Sequence, residues 1–216
     1  TVMKDVYQFM ENCINANKTD FDFTIGTNAA VLSKKFLALT DKFSNMNFSV
    51  SLDGYGIIND YWRWGSKWDQ VIANTRELQD RGHNISINCV PGIYNVTNLH
   101  LLFEFLDREF PAAGLYLQIN YYQLHSAFNH PDAAKVIESM ERCRQTRMYH
   151  VDGKSVRSTV EALHKHYSKN PVVDLKSLRD FFTYNDQQDA ARNVKLVDYI
   201  PELDACRRYL GINNCN

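Results

Sequence analysis

Clusters of polar residues follow four short apolar segments of the chain, at Gly26-Thr27-Asn28, Ser51-Leu52-Asp53, residues 91–95 and residues 118–120. Arg63 lies a short distance beyond the second cluster. A guanidinium group binds a carboxylate through two parallel hydrogen bonds, and Asp, Asn, Ser and Thr side chains bind hydroxyl and amide groups. This set of side chains therefore suits a small ligand that carries a carboxylate and hydroxyl groups, and it suits a nucleotide or a sugar equally well.

Each polar cluster is preceded by a segment with the composition of a β-strand and followed by an amphipathic helical pattern. The intervals between the strands are long enough for the crossover helices that parallel strands need. The carboxyl ends of parallel strands meet at one edge of a sheet, and ligands of α/β proteins bind there. The sequence therefore predicts an α/β fold, with an open parallel sheet of about four β/α units. The predicted strands are residues 21–25, 48–52, 85–90 and 115–121.

The pattern changes to helices alone from Pro131 onward. We therefore divide the chain into a sheet region, residues 1–130, and a helical C-terminal extension, residues 131–216. Four strands are too few to close a barrel. The helices predicted for the extension are residues 133–144, 156–167 and 175–184, and Asp174 is predicted to cap the last of them.

An aromatic stretch separates the second strand from the next helix. Residues 61–65 are predicted to form a loop. Ser66 is predicted to be the N-cap of the helix that follows, with Asp69 completing a variant of the capping box.

The composition excludes several classes of protein. The 216 residues carry a net charge of -1, with Lys and Arg spread among Asp and Glu, so no basic stripe indicates nucleic acid. No apolar run approaches the roughly 20 residues that span a bilayer, and the start of the sequence lacks the apolar core of a signal peptide. We therefore expect a cytoplasmic protein that binds neither nucleic acid nor a membrane.

The cysteines are odd in number and widely spaced, which is typical of reduced thiols rather than of a disulfide framework. No CxxC pair occurs, so the sequence predicts no zinc site. The five positions are Cys13, Cys89, Cys143, Cys206 and Cys215.

Several short motifs occur in a fixed order between residues 21 and 121. They are Gly26-Thr27-Asn28, Ser51-Leu52-Asp53-Gly54, Asn59-Asp60 with Arg63, Trp68-Asp69 with Asn74, and Asn95 with Leu99. Their order and spacing resemble the later strands of radical SAM enzymes, and most closely the subgroup with a SPASM or twitch C-terminal region. The resemblance implies a partial TIM-like β/α barrel over residues 1–130 and a helical twitch-like region over residues 131–216.

In the family that the chain resembles, S-adenosylmethionine binds beside a [4Fe-4S] cluster. One electron from the cluster cleaves the cofactor and yields a 5′-deoxyadenosyl radical. The resemblance implies that Thr27 and Asn28 face the nucleoside side of the cofactor.

The resemblance assigns the remaining cofactor contacts to four side chains. Ser51 and Asp53 match the polar residues placed for the ribose hydroxyls and the methionine end of the cofactor. Arg63 matches the arginine that pairs with the methionine carboxylate. Asn95 matches an asparagine that hydrogen-bonds the cofactor. No catalytic side chain and no metal ligand is assigned within this chain.

The cluster-binding CxxxCxxC motif of the family is absent from this sequence, and so is the glycine-rich motif that follows the second strand of the barrel. We expect both to precede Thr1, so that the chain would be the C-terminal part of a radical SAM enzyme and inactive alone. The C-terminal helices also lack the cysteine pattern that holds auxiliary clusters. We therefore expect a cluster-free tail.

Other interpretations of the same residues stay open. Ser51 and Asp53 also fit a turn that ends a strand, and Asn28 and Asn95 also fit turns in left-handed conformations. Arg63 also fits a stacking contact with a neighbouring tryptophan. On these interpretations the chain would be a non-enzymatic α/β module that binds a nucleotide or a sugar at the carboxyl edge of its strands.

Two expectations concern partners. Tyr121, Tyr122, Gln123 and His125 follow the fourth strand, and we expect them to face an unknown substrate, a peptide or a small metabolite. The apolar strand at residues 21–25 would have one unpaired edge in a truncated sheet, so we expect a homodimer through that edge.

Overall fold

The computed structural model describes residues 4–119, 124–151 and 154–212. Its four strands form one parallel sheet in the order β1-β2-β3-β4. The predicted α/β fold with an open sheet of four parallel strands is confirmed. The strands are β1 (Asp22–Thr27), β2 (Asn45–Ser51), β3 (Asn84–Cys89) and β4 (Gly114–Leu117).

Ten helices accompany the sheet in the described residues. Within these ranges, no helix combines the length and the apolar character that crossing a membrane requires. The helices are α1 (Lys4–Asn15), α2 (Lys34–Thr40), α3 (Ile57–Trp62), α4 (Trp68–Asp80), α5 (Leu99–Glu109), α6 (Ala133–Cys143), α7 (Arg147–Val151), α8 (Lys154–Tyr167), α9 (Leu175–Arg192) and α10 (Pro201–Tyr209).

The sheet buries one of its two faces. In β2 the side chains of Met46, Phe48 and Val50 are buried, while the alternate Asn47 and Ser49 are only half-buried. The strands pair in register, so the same alternation continues across β3 and β4. Sequential strand order with crossovers of one hand places the connecting helices on a single face. Residues of α2, α4, α5, α6 and α8 accordingly share one hydrophobic core with the buried strand residues.

The opposite face of the sheet is polar and accessible to solvent. Residues at equivalent heights of neighbouring strands pair across it, for example Asn47 with Asn84. We call this surface the open face. It consists of Asp22, Thr24, Gly26, Asn45, Asn47, Ser49, Ser51, Asn84, Ser86, Asn88, Gly114 and Tyr116.

The helical extension packs on the sheet region in two places. Helices α6 and α8 contribute to the core beneath the sheet. Helices α9 and α10 form a second hydrophobic cluster with α3 and with the loop after β3. In this cluster the ring of Tyr94 packs against Phe181 at a centroid distance of 5.2 Å, and Tyr61 packs against Tyr199 at 5.1 Å. The extension therefore covers the end of the sheet where the polar clusters lie. The division of the chain at residue 130 stays a prediction.

The prediction of a loop at residues 61–65 is wrong at its start, because α3 continues to Trp62. A helix of six residues is unstable by itself. Burial of Ile58 and Tyr61 in the second hydrophobic cluster stabilises it. These partners are distant in sequence, so the local pattern does not indicate the helix.

The prediction of Ser66 as the N-cap of α4 is also wrong. The hydroxyl of Ser66 donates to the carbonyl oxygen of Arg63 at 2.7 Å. The N–H of Trp68, at the start of α4, instead donates to Oδ1 of Asp60 at 2.6 Å. A carboxylate from the preceding helix therefore satisfies the first turn of α4, which is electrostatically favourable at a helix N-terminus.

The largest remaining differences from the predicted bounds are at the ends of β4 and α9. Strand β4 ends at Leu117 instead of residue 121, and residues 120–123 lie outside the described part of the chain. Helix α9 continues to Arg192 instead of residue 184. The cap of α9 is confirmed, because Oδ1 of Asp174 accepts hydrogen bonds from the N–H groups of Lys176 and Ser177.

Strand β1 is an edge of the sheet, because it pairs with β2 alone among the described strands. An aromatic cluster extends from this edge onto α1. Phe9 is 47% exposed and packs edge to face against Phe21 and Phe23, with ring centroids 6.4 and 5.3 Å apart. Unpaired strand groups beside exposed apolar side chains favour association.

We expect the chain to form a homodimer through the β1 edge and Phe21→Lys to weaken that dimer at least tenfold. A lysine at a strand edge opposes pairing because its charge loses hydration in the interface. Sedimentation equilibrium measures the dissociation constants. Val172→Lys is the matched control, since Val172 is an exposed apolar residue away from the edge. A wild-type chain that stays monomeric at every concentration would contradict this expectation.

A buried histidine links the loop before α6 to α8. His130 is 1% exposed. Its ring Nδ1 accepts the backbone N–H of Asp132 at 3.1 Å, and its backbone N–H donates to the hydroxyl oxygen of Tyr167 at 2.8 Å. Burial lowers the pKa of His130 from 6.5 to about 4. The folded protein therefore holds this imidazole neutral at neutral pH.

The stability that depends on neutral His130 is present above pH 6.5 and is lost as the pH falls towards 4, because the unfolded chain binds the proton more readily. This difference in pKa corresponds to about 3 kcal/mol. In His130→Asn the amide oxygen replaces Nδ1 as an acceptor without titrating, so the variant should lose less stability between pH 6.5 and 4. Urea unfolding at several pH values measures the difference. Profiles that run parallel for the two proteins would rule out this role of His130.

Candidate functional site

Asp53 is the centre of a hydrogen-bonded cluster just beyond the end of β2. The residue is 5% exposed. Its Oδ1 accepts the N–H of Val90 at 2.8 Å, and its Oδ2 lies 2.7 Å from Nη2 of Arg63. Its backbone N–H donates to Oδ1 of Asn59 at 3.0 Å, and its carbonyl oxygen accepts from Nδ2 of Asn95 at 2.8 Å. Asp53 therefore joins α3 to the loops that follow β2 and β3.

Asn95 closes the loop that follows β3. It is 1% exposed, and besides its bond to Asp53 its Nδ2 donates to the carbonyl oxygen of Val90 at 3.0 Å. Its Oδ1 accepts the N–H of Gly92 at 2.8 Å. Both donor hydrogens and the acceptor of this amide are engaged within the chain. Asn95 thus fixes the loop, and a direct contact with a ligand would require these bonds to break.

Burial and the neighbouring groups have opposite effects on the pKa of Asp53. Burial raises the pKa of Asp53, while the Arg63 guanidinium and the Val90 N–H act in the opposite direction. The Arg63 side chain is 28% exposed, and its buried Nε has no hydrogen-bond partner in the described residues. Arg63 therefore retains donor capacity beyond its bond to Asp53.

Thr27 and Asn28 lie at the end of β1, and both side chains bind locally. The hydroxyl of Thr27 accepts the N–H of Ala29 at 2.9 Å, and Oδ1 of Asn28 accepts the N–H of Ala30 at 3.2 Å. Ala29 has a φ of 50°. Nδ2 of Asn74, on α4, donates to the carbonyl oxygen of Ala29 at 2.7 Å and holds this turn in place.

Ser51 ends β2 on the open face, where it is half-buried and pairs in register with Asn88. Its hydroxyl makes no hydrogen bond to other described residues and is therefore available to a ligand. The structure thus brings Asp53, Arg63 and Asn95 into contact. It places Ser51, Thr27 and Asn28 at the same carboxyl edge of the sheet but outside this cluster, and the Thr27 and Asn28 side chains form local hydrogen bonds instead.

Of the four residues expected to face a substrate, only His125 lies in the described part of the chain. Tyr121, Tyr122 and Gln123 lie outside the described residues. The ring of His125 packs against Tyr94 and residues of α9, with a centroid distance of 5.5 Å to Tyr94. Burial lowers the pKa of His125. Its substrate-facing role stays a prediction.

A second polar network connects α3 to α9. The Tyr61 hydroxyl lies 2.7 Å from Oδ1 of Asp189 and 2.8 Å from Oδ1 of Asn185, and the Tyr94 hydroxyl also lies 2.7 Å from Asn185 Oδ1. Burial raises the pKa of Asp189. The network ties the helix that carries Arg63 at its end to the C-terminal extension. The sequence offers no local signal for it, because the partners are more than 90 residues apart.

The described cysteines do not form a cluster site. Cys89 and Cys143 are fully buried in the sheet core, and burial raises the pKa of both thiols. In the described ranges, no three His, Cys, Asp or Glu side chains are close enough to hold a metal ion. The described thiols therefore offer no set of cluster ligands. The partly exposed Arg63 guanidinium keeps hydrogen-bond donors that could bind an anionic group.

The fold and the site together define an α/β protein with a hydrogen-bonded polar cluster at the carboxyl edge of a parallel sheet, the edge where ligands of such folds bind. No protein-family model matches the chain, and no curated protein matches it at a significant level of sequence similarity. Its function therefore has to be inferred from the geometry and the motifs.

Proposed function

We propose that this chain supplies the S-adenosylmethionine-binding part of a radical SAM enzyme. The observation that carries the proposal is the Asp53–Arg63 pair, held at the carboxyl edge of a parallel sheet whose strands follow one another in chain order. Sequential parallel strands with all helices on one face are the geometry of a β/α barrel segment. The ordered motifs from Gly26 to Leu99 lie on this segment.

In the proposed site, Arg63 binds the methionine carboxylate through the donors that Asp53 leaves free. Asp53 orients the guanidinium, since both of its carboxylate oxygens are engaged within the protein. Ser51 offers its hydroxyl to the ribose. Asn95 and Asn59 position Asp53 and thereby act on the ligand indirectly.

S-adenosylmethionine supplies a 5′-deoxyadenosyl radical when it receives one electron. The cysteines of this sequence do not form the motif that delivers that electron, so the proposal assigns cluster binding to a different stretch of polypeptide. The substrate, a peptide or a small metabolite, and the cytoplasmic location belong to the same proposal. The part played by this chain is to bind and orient the cofactor.

Anaerobic reconstitution with iron and sulfide tests the proposal at the level of activity. The 216-residue chain should acquire no thiolate-to-iron absorbance and release no 5′-deoxyadenosine. A gene product that also carries a CxxxCxxC segment should show both. A stable cluster with cofactor turnover in this chain alone, or a complete gene without such a segment, would contradict the proposal.

A non-enzymatic module for a nucleotide or a sugar is the second candidate. The uncharged lining of the concavity on the open face favours it, because a binding module needs only a complementary surface and no electron source. Binding of a nucleotide or sugar without any binding of S-adenosylmethionine would support this candidate over the first.

A further inference from the structure

The open face contains a concavity of about 480 Å³, which is within the size range of pockets for small ligands. The side chains that line it carry no formal charge. They come from all four strands, and the polar ones other than Tyr116 are Thr24, Asn47, Ser49, Asn84, Ser86 and Asn88.

Neighbouring polar side chains orient one another on this surface. Nδ2 of Asn84 donates to Oδ1 of Asn47 at 3.0 Å, and Nδ2 of Asn88 donates to Oγ of Ser49 at 2.8 Å. Each amide has two donor hydrogens and an acceptor oxygen, so these bonds leave both kinds of group in place for a ligand. Paired donors and acceptors match hydroxyl groups, which also donate and accept.

Tyr116 adds an aromatic surface at one side of the concavity. It is 53% exposed, and it pairs in register with Asn88 of the neighbouring strand. An exposed aromatic ring beside amides offers an apolar face and hydrogen bonds to the same ligand. This combination suits a ring that has hydroxyl groups on its rim and C–H groups on its face.

We propose that the open face binds an uncharged sugar ring. An anionic ligand would lose hydration in this concavity without meeting a positive charge among the residues that line it, which costs free energy. A peptide backbone pairs with the edge of a sheet rather than with its face. As a substrate class for the proposed enzyme, this inference rests on the proposed function, but the binding itself needs neither S-adenosylmethionine nor a cluster.

Chemical-shift titration of the 216-residue chain, without S-adenosylmethionine, tests the inference. The probes are methyl β-glucopyranoside, the corresponding methyl glucuronide and an acetylated dipeptide amide. We expect the neutral glycoside to perturb residues of the open face and to bind at least tenfold more tightly than the glucuronide. The dipeptide should leave the open face unperturbed.

Substitutions at two positions, Asn88 and Tyr116, locate the binding. Asn88→Asp places a charge on the open face and should weaken glycoside binding at least tenfold, and Tyr116→Ala should weaken it similarly while Tyr116→Phe retains it. Asn12→Asp on α1 and Tyr209→Ala on α10 are the matched controls, because both residues are exposed and distant from the sheet face. Circular dichroism confirms that each variant is folded.

Three results would overturn the inference. They are equal binding of the glucuronide and the glycoside, binding of the dipeptide in place of the glycoside, and self-association of the chain that Asn88→Asp abolishes. The last would show that a second copy covers the face. Failure of S-adenosylmethionine to bind would refute the proposed function but would not affect the inference that the open face binds a sugar.

Discussion

Arg63→Met is expected to lower the free energy of unfolding by about 3 kcal/mol at pH 7. The substitution preserves much of the aliphatic length of the side chain but leaves the buried carboxylate of Asp53 without its cation. Asp53 is 5% exposed, and burial already raises its pKa. An ionised group in that position is costly unless an opposite charge accompanies it.

The stability that Arg63→Met loses should become smaller as the pH falls. Without Arg63 the folded pKa of Asp53 rises further above its unfolded value, so the penalty is present above the folded pKa and disappears as protonation neutralises the group. Asp53→Asn combined with Arg63→Met should recover most of the stability. Arg76→Met is the matched control, because the Arg76–Glu109 pair is exposed and should contribute less than about 1 kcal/mol. Equal losses from the two arginine variants, by urea unfolding, would contradict this account of the cluster.

Gly92→Ala is expected to lower the free energy of unfolding by about 2–3 kcal/mol. A Cβ at this position would overlap the ring of Trp62 and would lie 2.8 Å from the carbonyl oxygen of His125. That carbonyl accepts the N–H of Ile93, and the Gly92 N–H donates to Asn95, so the backbone on both sides is constrained. The loop that Asn95 closes would have to move.

Gly26→Ala is the control for Gly92→Ala. Gly26 lies in β1, and an added Cβ there would meet no heavy atom within 4 Å. That variant should keep or slightly increase stability, because alanine reduces the conformational freedom of the unfolded chain. Thermal unfolding of both variants gives the comparison. A Gly92→Ala protein as stable as Gly26→Ala would show that the loop adapts at little cost.

The sheet was predictable because each strand is a short apolar segment flanked by polar clusters and separated from the next by a helix-length interval. The site was predictable where contacts depend on the shared carboxyl edge, as for Asp53 and Asn95. The contact between Tyr61 and Asp189 was not predictable, because it depends on how α9 packs on α3. No local pattern encodes that packing.

The open face had a signal in the sequence. Strands of a parallel sheet with both faces covered consist of nearly continuous apolar residues. β2 and β3 instead alternate strictly, with Asn47 and Ser49 between the buried residues of β2 and Ser86 between Ile85 and Ile87 of β3. Alternation in strands that are joined by crossover helices indicates one accessible face. The lengths of α3 and α9 have no comparable signal.

Titration of the chain with S-adenosylmethionine, observed at the Arg63 Nε–H resonance, tests the central claim most directly. The proposal predicts that the cofactor shifts this resonance, that its carboxyl methyl ester binds at least tenfold more weakly, and that Arg63→Lys reduces the difference in affinity between the acid and the ester. Lysine retains the positive charge beside Asp53 but lacks the planar set of donors that binds a carboxylate in two places. An unperturbed Arg63 resonance, or equal affinity for acid and ester in the wild-type chain, would contradict the assignment of this site to S-adenosylmethionine.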